Sequence, residues 1–205
     1  MKLLYGTGNS AKVTAMRARL APLGIEVAGA KDMGLQMPEA DENGATPLEN
    51  ACIKAKACFT AFKMPVFSCD SGLYFEGLPP ELQPGPRVRR VKGVNLTDEE
   101  ARTWYGNLAA QYGKLTAYYQ HAVCLIDGQG QMHAAMTPEM ESRRFYLMPQ
   151  PCGPIRRPGF PLDSMSVECE SREYYYHLPP ERMDRLAVEE GLLDFFRELR
   201  RGGIV

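Results

Sequence analysis

One short segment near the N-terminus has the residue types of an anion-binding turn. It is Thr7-Gly8-Asn9-Ser10-Ala11-Lys12, and it follows the strand-like run from Lys2 to Tyr5. Backbone N–H groups at a helix N-terminus favour an anion, glycine permits close approach of the backbone, and Lys12 adds a full positive charge. The segment predicts a phosphate-binding turn. The alternative is a plain turn in which Asn9 or Ser10 caps the helix.

Two carboxylates could hold a divalent cation. The acidic loop Asp41-Glu42-Asn43-Gly44 precedes a helix, and Asp70 follows the next apolar run. Because Mg²⁺ binds carboxylate oxygens, keeps several waters and grips substrate phosphates, two carboxylates from separate loops suffice. Such an ion could also orient an attacking water. The alternative is a solvated acidic loop and an aspartate that caps a turn.

A basic cluster forms the third candidate. Four cations occupy six positions: Arg87, Arg89, Arg90 and Lys92. Arginine pairs bidentately with phosphate and stacks on flat bases, whereas the alternative is a solvated loop. Lys54 lies off the apolar face of its helix and points either to solvent or to a cleft.

The candidate residues lie between predicted strands and helices that alternate along the chain. Strands are predicted at 2–5, 25–28 and 65–69, the last ending in a turn at Asp70-Ser71-Gly72. Helices are predicted after Asn9, after the cap Thr46 and after the cap Thr97. The apolar stripe of the second helix is Leu48, Cys52, Ala55, Phe59 and Phe62. Three strands between 116 and 147 and a terminal helix at 180–201 complete an α/β fold with a mixed, partly antiparallel sheet.

Composition excludes several classes of protein. The 205 residues carry a formal charge of −1, which argues against a protein that coats nucleic acid or an anionic membrane. No segment approaches the roughly 20 apolar residues that span a bilayer. The first strand is too short for a signal-peptide core, so the expected location is the cytoplasm. The six cysteines form no C-x-x-C motif and are expected to be reduced thiols.

Four motifs, in this order, resemble the inosine triphosphate pyrophosphatase family. T-G-N-x-x-K matches Thr7–Lys12, and E-x-G-x-x-x-x-E-N-A-x-x-K-A matches Glu42–Ala55. D-D-S-G-L matches Cys69–Leu73 with cysteine in place of the first aspartate, and P-G-x-x-x-A-R matches Pro84–Arg90. The resemblance covers roughly residues 1 to 95.

The resemblance implies a fold and a reaction. The fold is a two-lobed mixed sheet flanked by helices, one α/β domain over 1–205 with the nucleotide in a cleft between the lobes, usually as a homodimer. The reaction is Mg²⁺-dependent hydrolysis of non-canonical purine triphosphates, such as those of inosine, deoxyinosine and xanthosine, to monophosphate and pyrophosphate. A nucleotide-binding protein with weak or no hydrolysis, and a pyrophosphatase for another modified nucleotide, remain as alternatives.

The resemblance also assigns residue roles. Asp70, Lys12 and Glu42 are catalytic, and Glu42 and Asp70 hold the metal. The residues expected to contact the substrate are Thr7, Gly8, Asn9, Lys12, Lys54, Ser71, Gly72 and Arg90. The base is expected near Phe160 and Asp163, in a reduced counterpart of the family's G-F-G-Y-D-P segment. The family's S-H-R corresponds here to Met183-Asp184-Arg185, so the arginine is kept as Arg185. The histidine, a possible hydrogen-bond donor, is replaced by Asp184, whose carboxylate accepts, and the preferred base is therefore left open.

Overall fold

The computed structural model describes residues 2–91, 93–179, 181–183 and 190–205. The chain forms two compact units. The first unit consists of Met1–Ser71, Gln120–Glu141 and Glu189–Val205, and the second of Gly72–Tyr119 and Ser142–Val188. The elements in chain order are β1 (Lys2–Tyr5), α1 (Ser10–Leu20), β2 (Glu26–Gly29), α2 (Pro47–Phe62), β3 (Val66–Phe75), β4 (Arg90–Val91), β5 (Val94–Asn95), α3 (Asp98–Tyr112), β6 (Leu115–Ile126), β7 (Met132–Ala135), β8 (Phe145–Leu147), β9 (Ser166–Glu168) and α4 (Glu190–Arg201).

Strand pairing confirms the predicted mixed sheet. In the first unit β1 pairs in parallel with both β2 and β3, and the C-terminal half of β6 pairs antiparallel with β7. In the second unit the N-terminal half of β6 pairs antiparallel with β8, and β8 with β9. Parallel strands end at one edge, so the residues that follow β1 and lie late in β3 come close together.

The first unit is built on an apolar core between its strands and helices. Val13, Met16 and Leu20 of α1 are buried, as the helical spacing predicts. Tyr5 stacks on Phe67 at 4.5 Å between ring centroids, and Phe196 of α4 meets Phe67 edge-on at 5.2 Å. This packing fixes β1, which leads into the predicted phosphate turn, and β3, which carries Asp70 and Ser71.

The second unit has its own core around α3. Thr97 and Glu100 form the capping box that the sequence predicts at the start of this helix. The buried side of α3 belongs to a cluster with the inner faces of β6 and β8, through Ala101, Tyr105, Ala109, Leu115, Phe145 and Leu147. The second unit is therefore a helix packed on an antiparallel sheet.

The predicted turn at Asp70-Ser71-Gly72 is wrong, because β3 continues to Phe75. The continuation is held by a backbone pair in the second unit: Leu73 N donates to Gly85 O at 2.9 Å, and Gly85 N donates to Leu73 O at 3.0 Å. A Cβ on Gly72 would come within 2.9 Å of the Gly85 carbonyl carbon. Glycine is thus needed at position 72 for strand pairing.

The helices differ from the prediction in detail. The fully buried face of α2 includes Asn50, Ala51, Ala55 and Cys58, whereas Leu48, Cys52, Phe59 and Phe62 are only partly buried. Strand β9, which has three residues, was not predicted. Of the predicted terminal helix, 190–201 is confirmed as helix, and positions 180 and 184–189 lie outside the described residues. Within the described part of the chain, no helix is long and apolar enough to cross a bilayer.

Candidate active site

The turn between β1 and α1 begins the site. Asn9 caps α1, since its Oδ1 accepts from the N–H groups of Ala11 at 2.9 Å and Lys12 at 3.3 Å. Thr7 Oγ1 accepts from Asn9 N at 3.2 Å. A Cβ on Gly8 would meet no atom within 4 Å, so space is open directly above its backbone. The capping interpretation is confirmed for Asn9, and the turn still offers an open backbone next to Lys12.

A cavity of about 340 Å³ in the first unit brings six of the predicted residues together. They are Thr7, Gly8, Lys12, Glu42, Lys54 and Asp70. Cys58 also lines this cavity, and burial raises the pKa of its thiol to about 11. A thiol with this pKa is protonated at neutral pH, so Cys58 is not a nucleophile there. The cavity is polar and contains both cations and carboxylates.

Lys54 lies at the centre of the cavity's charged groups. Its Nζ is 2.6 Å from Asp70 Oδ1 and 3.1 Å from Glu42 Oε2. Burial by itself would lower the pKa of Lys54, but the charges and hydrogen bonds of Asp70 and Glu42 outweigh burial and raise the pKa. Lys54 therefore points into the cavity and stays protonated. Of the two orientations considered for it, the structure shows the one away from solvent, into this cavity of the first unit.

Asn50 is a site residue that the sequence analysis missed. Its side chain is buried, with 3% of the residue exposed. Its Nδ2 donates to Asp70 Oδ2 at 3.2 Å, and its Oδ1 accepts from Gly44 N at 2.9 Å. Asn50 thus connects the loop that carries Glu42 to the strand that carries Asp70. The available signal was its place in the motif Glu42–Ala55, to which no role for Asn50 was attached.

Ser71 is held by a second residue that the sequence analysis missed. Its Oγ lies 2.8 Å from Nδ1 of His121, at hydrogen-bond distance, and both side chains are partly buried in the first unit. Ser71 follows Asp70 on β3, and His121 lies on β6. A single histidine in an apolar strand gives no sequence signal, so this pair could be found only from the structure.

Other predicted substrate residues belong to the second unit. Arg90 is exposed on β4. Its neighbour Arg89 pairs instead with Asp98, which also accepts from Gly159 N at 2.9 Å. Gly72 serves the strand pairing described above. Of the predicted basic cluster, Arg89 is therefore engaged by Asp98 at the start of α3, Arg90 is exposed on β4, and Lys92 lies outside the described residues.

The predicted base-binding residues also lie in the second unit. The guanidinium carbon of Arg157 lies 4.5 Å from the ring centroid of Phe160. Burial raises the pKa of Asp163 to about 6, although Arg157, with a nitrogen 3.9 Å away, opposes the shift. Asp184 and Arg185 lie outside the described residues. Phe160 and Asp163 are close neighbours of the same arginine.

The donor groups of the cavity suit a hard divalent cation. Two carboxylates, Glu42 and Asp70, converge on one positive charge, the ammonium of Lys54. Among the described residues, no group of three or more histidine, cysteine or acidic side chains is arranged to hold a metal. A cation bound here would complete its coordination with water and ligand oxygens, as Mg²⁺ usually does. The residues present therefore fit Mg²⁺ together with a phosphate ligand.

Comparison with known proteins identifies the family to which this chain belongs. A model of the Ham1 family matches residues 3–143. A dITP/XTP pyrophosphatase from Rhodopseudomonas palustris is 44% identical over 147 residues, which are 69% of this chain and 66% of the relative. A dITP/XTP pyrophosphatase from Bradyrhizobium diazoefficiens is 35% identical over 129 residues, which are 60% of this chain and 59% of the relative. The chain thus spans less than two thirds of the length of either relative.

A solved structure has the same fold. The Ham1 protein of Staphylococcus aureus superposes with a TM-score of 0.75 over 99% of this chain and 100% of that chain, at 18% identity. The family match includes every residue of the first unit's cavity and ends before Phe160 and Asp163. The family match therefore covers the residues predicted to bind phosphate and metal, and it does not extend to Phe160 and Asp163, which are predicted to contact the base.

Proposed function

Because this chain belongs to the Ham1 family, we propose that it is a nucleoside triphosphate pyrophosphatase for non-canonical purine nucleotides. The substrates would be triphosphates of inosine, deoxyinosine or xanthosine. One water molecule is consumed, the anhydride between the α- and β-phosphates is cleaved, and a nucleoside monophosphate and pyrophosphate are formed. The dITP/XTP pyrophosphatases that this chain resembles support the reaction.

One observation carries the proposal: Lys54 bridges Glu42 and Asp70 in a cavity that also contains the turn before α1. A triphosphate needs cations and free N–H groups along its oxygens, and its hydrolysis needs a carboxylate near the attacked phosphorus. The cavity has both kinds of group. The helix N-terminus and Lys12 favour the phosphate chain, and Asp70 is the less exposed of the two carboxylates.

We assign phosphate binding to Thr7, Gly8 and Lys12, and to Asn9, whose cap fixes the start of α1. Lys54 would turn from the two carboxylates toward a phosphate oxygen when substrate enters. That movement costs little Coulomb energy, because the phosphate replaces the carboxylates as the partner of the ammonium. It also leaves Asp70 free to accept a proton from water. Ser71, held by His121, would donate to the same phosphate chain.

We assign the metal site to Glu42 and Asp70. When bound, Mg²⁺ would neutralise phosphate charge and lower the pKa of a coordinated water. Asn50 keeps one oxygen of Asp70 in a hydrogen bond at 3.2 Å, so the carboxylate has a fixed orientation. Orientation of the acceptor by such a partner is what a general base requires.

We assign base contacts to Phe160, Asp163 and Arg185. An aspartate whose pKa is raised to about 6 is partly protonated at mildly acidic pH and can then donate a hydrogen bond. A donor of this kind suits the carbonyl oxygens of oxidised purines. Phe160 would stack on the ring.

We also propose that the working form is a homodimer. The support is the family resemblance of the motifs in residues 1–95. Sedimentation equilibrium should give twice the mass of the 22.9 kDa chain. A mass equal to one chain at the concentrations used for activity assays would contradict the dimer.

The decisive experiment is pyrophosphate release from seven triphosphates, with and without Mg²⁺. The substrates are those of inosine, deoxyinosine and xanthosine and the four standard nucleosides. Asp70→Asn should lower turnover by about 100-fold or more. The matched control is Glu39→Gln, since Glu39 is exposed and does not line the cavity. Full activity of Asp70→Asn would refute the assignment.

The same assay separates the alternatives. Stabilisation of the protein by a triphosphate, without product, would indicate a nucleotide-binding protein with negligible hydrolysis. Release from none of the oxidised purine substrates, but from another modified nucleotide, would indicate a pyrophosphatase of different specificity. Fast, Mg²⁺-dependent release from the inosine and xanthosine substrates supports the proposal.

A further inference from the structure

The second unit contains a cavity that the proposed function does not use. Its volume is about 490 Å³, within the range of roughly 300–1,000 Å³ typical of small-molecule sites. It lies between the last turn of α3 and strand β8. We infer that this cavity binds a small organic anion that has an apolar body and a single carboxylate or phosphate head.

The walls of the cavity are apolar. Ala109 and Ala110 come from α3, Leu147 from β8 and Val167 from β9, with Met148 and Pro149 after β8. Ala109, Leu147 and Val167 are buried, so this part of the wall belongs to the core of the second unit. An apolar ligand would remove hydrocarbon surface from water here, which is the main source of binding energy in such sites.

Two cations define the polar end of the cavity. Lys114 Nζ lies 3.5 Å from the ring centroid of Tyr146, and the guanidinium carbon of Arg172 lies 4.7 Å from the same centroid. All three residues line the cavity, and none of the described lining residues is acidic. Among the described residues, neither cation forms an ion pair with a carboxylate. Both charges are therefore available to an anionic ligand.

The backbone at Arg172 is also unusual. Its φ is 64°, in the left-handed region that residues other than glycine rarely adopt. It lies in a tight turn in which Glu168 N donates to Glu173 O at 2.9 Å and Arg172 N donates to Glu168 O at 3.0 Å. The turn returns the chain to Tyr174, another lining residue. This conformation directs the guanidinium to the Tyr146 ring.

Helix electrostatics orients the ligand. The carbonyl groups at the C-terminal end of α3 disfavour an anion beside Ala109 and Ala110. The head group therefore belongs beside Tyr146, where Lys114 and Arg172 supply charge and the guanidinium can form paired hydrogen bonds with a carboxylate or phosphate. The apolar body then lies against the alanines, Leu147 and Val167.

The test uses a matched set of eight-carbon probes and isothermal titration calorimetry on the full chain. Octanoate and octyl phosphate carry the two head groups, and 1-octanol and octylammonium have the same body with neutral or positive heads. We expect at least one anionic probe to bind about tenfold or more tightly than 1-octanol, and octylammonium to bind more weakly still. Binding of 1-octanol equal to that of both anions would overturn the inference.

Variants locate the binding. The double substitution Lys114→Gln and Arg172→Gln should weaken the anionic probe about tenfold or more without changing 1-octanol. Arg143→Gln is the control, because Arg143 is an exposed arginine of the same unit that does not line the cavity. Ala110→Trp should obstruct the cavity and reduce binding of every probe. Unchanged binding in both the double variant and Ala110→Trp, or no binding of either anion at millimolar concentration, would refute the site.

Discussion

Lys54 Nζ lies 2.6 Å from Asp70 Oδ1, and the two side chains are only 15% and 13% exposed. The same ammonium lies 3.1 Å from Glu42 Oε2, so one positive charge faces two negative charges. A buried charge that loses its partner is strongly destabilising. Without substrate, Lys54 therefore compensates part of the negative charge and keeps the two carboxylates close together. A divalent cation could take its place between them.

The first prediction concerns metal affinity. Lys54→Gln should bind Mn²⁺, used as a spectroscopic substitute for Mg²⁺, about tenfold or more tightly in the absence of nucleotide. The reason is that Glu42 and Asp70 lose a competing cation, and one charge at 4 Å contributes about 4 kcal/mol near a protein surface. The same variant should hydrolyse triphosphate poorly, because a phosphate contact is lost. Electron paramagnetic resonance titration measures the free Mn²⁺.

Lys56→Gln is the matched control for this prediction, since Lys56 is an exposed lysine on the same helix. Equal Mn²⁺ affinity in Lys54→Gln and the unmodified chain would show that Glu42 and Asp70 do not form the metal site.

The second prediction concerns Asn50. Asn50→Ala should lower the free energy of unfolding by about 1–3 kcal/mol, because the buried N–H of Gly44 loses its acceptor. For a chain of this size the midpoint temperature falls by about 2–4 °C for each kcal/mol. Asp70 also loses a donor, so turnover should fall more than stability explains. Urea unfolding and pyrophosphate release measure the two effects.

The control for Asn50 is Asn43→Ala, in the preceding loop, where the exposed amide bonds Asp41 at 3.0 Å. It should leave stability unchanged. Equal losses in the two variants would mean that the connection from Gly44 to Asp70 has no special role.

Local sequence signals predicted much of this molecule, and long-range pairing explains what they missed. The caps at Thr46 and Thr97, the turn after β1 and the face of α1 depend on neighbours within one helical turn. In contrast, β3 continues beyond Asp70 because of a backbone pair with Gly85. Ser71 and His121 are 50 positions apart, so no local pattern joins them.

The candidate site follows the same division. Thr7, Lys12, Glu42 and Asp70 were predicted because charge and motif spacing identify them, and the structure gathers them in one cavity. Asn50 was missed because the apolar stripe predicted for α2 does not include position 50, whereas the folded helix buries that position. Its importance depends on Gly44 and Asp70, and those contacts exist only in the folded chain.

The third prediction is a pH dependence of stability. The pKa of Asp163 is about 6 in the folded chain against an ordinary value of 3.8. Between these values the folded state binds more protons than the unfolded state, so the contribution of Asp163 to stability falls as pH rises from about 4 to 6 and then stays constant. The loss is on the order of 3 kcal/mol, at about 1.4 kcal/mol for each pKa unit.

Asp163→Asn removes the free-energy cost of keeping an ionised carboxylate buried at this position. It should be more stable than the unmodified chain at pH 8, and the difference should shrink toward pH 4.5. Urea unfolding at both pH values measures it, with Glu39→Gln as an exposed-acid control. A stability difference that is the same at both pH values would contradict a raised pKa.

The fourth prediction contrasts two glycines. Gly8→Ala should leave stability unchanged, because its Cβ meets no atom within 4 Å, yet lower kcat/KM about tenfold or more by holding phosphate away from the backbone. Gly72→Ala should instead destabilise the fold by about 1–3 kcal/mol, since its Cβ would lie 2.9 Å from Gly85. Thermal unfolding and steady-state kinetics on both variants distinguish the roles. Loss of stability in Gly8→Ala would contradict the open space above the turn.

The order of elements along the chain determines when, during translation, the core of the first unit can be completed. Every described residue that lines the first unit's cavity precedes position 71, whereas α4 is the last element described in that unit. Phe196 of α4 packs on Phe67, three positions before Asp70. Since translation proceeds from the N-terminus, the ribosome releases the phosphate turn and both carboxylates long before the core beneath them can close. A polypeptide terminated before residue 190 would lack Leu192, Phe196 and Leu199 of that core, so we expect it to be more open to proteolysis than the full chain.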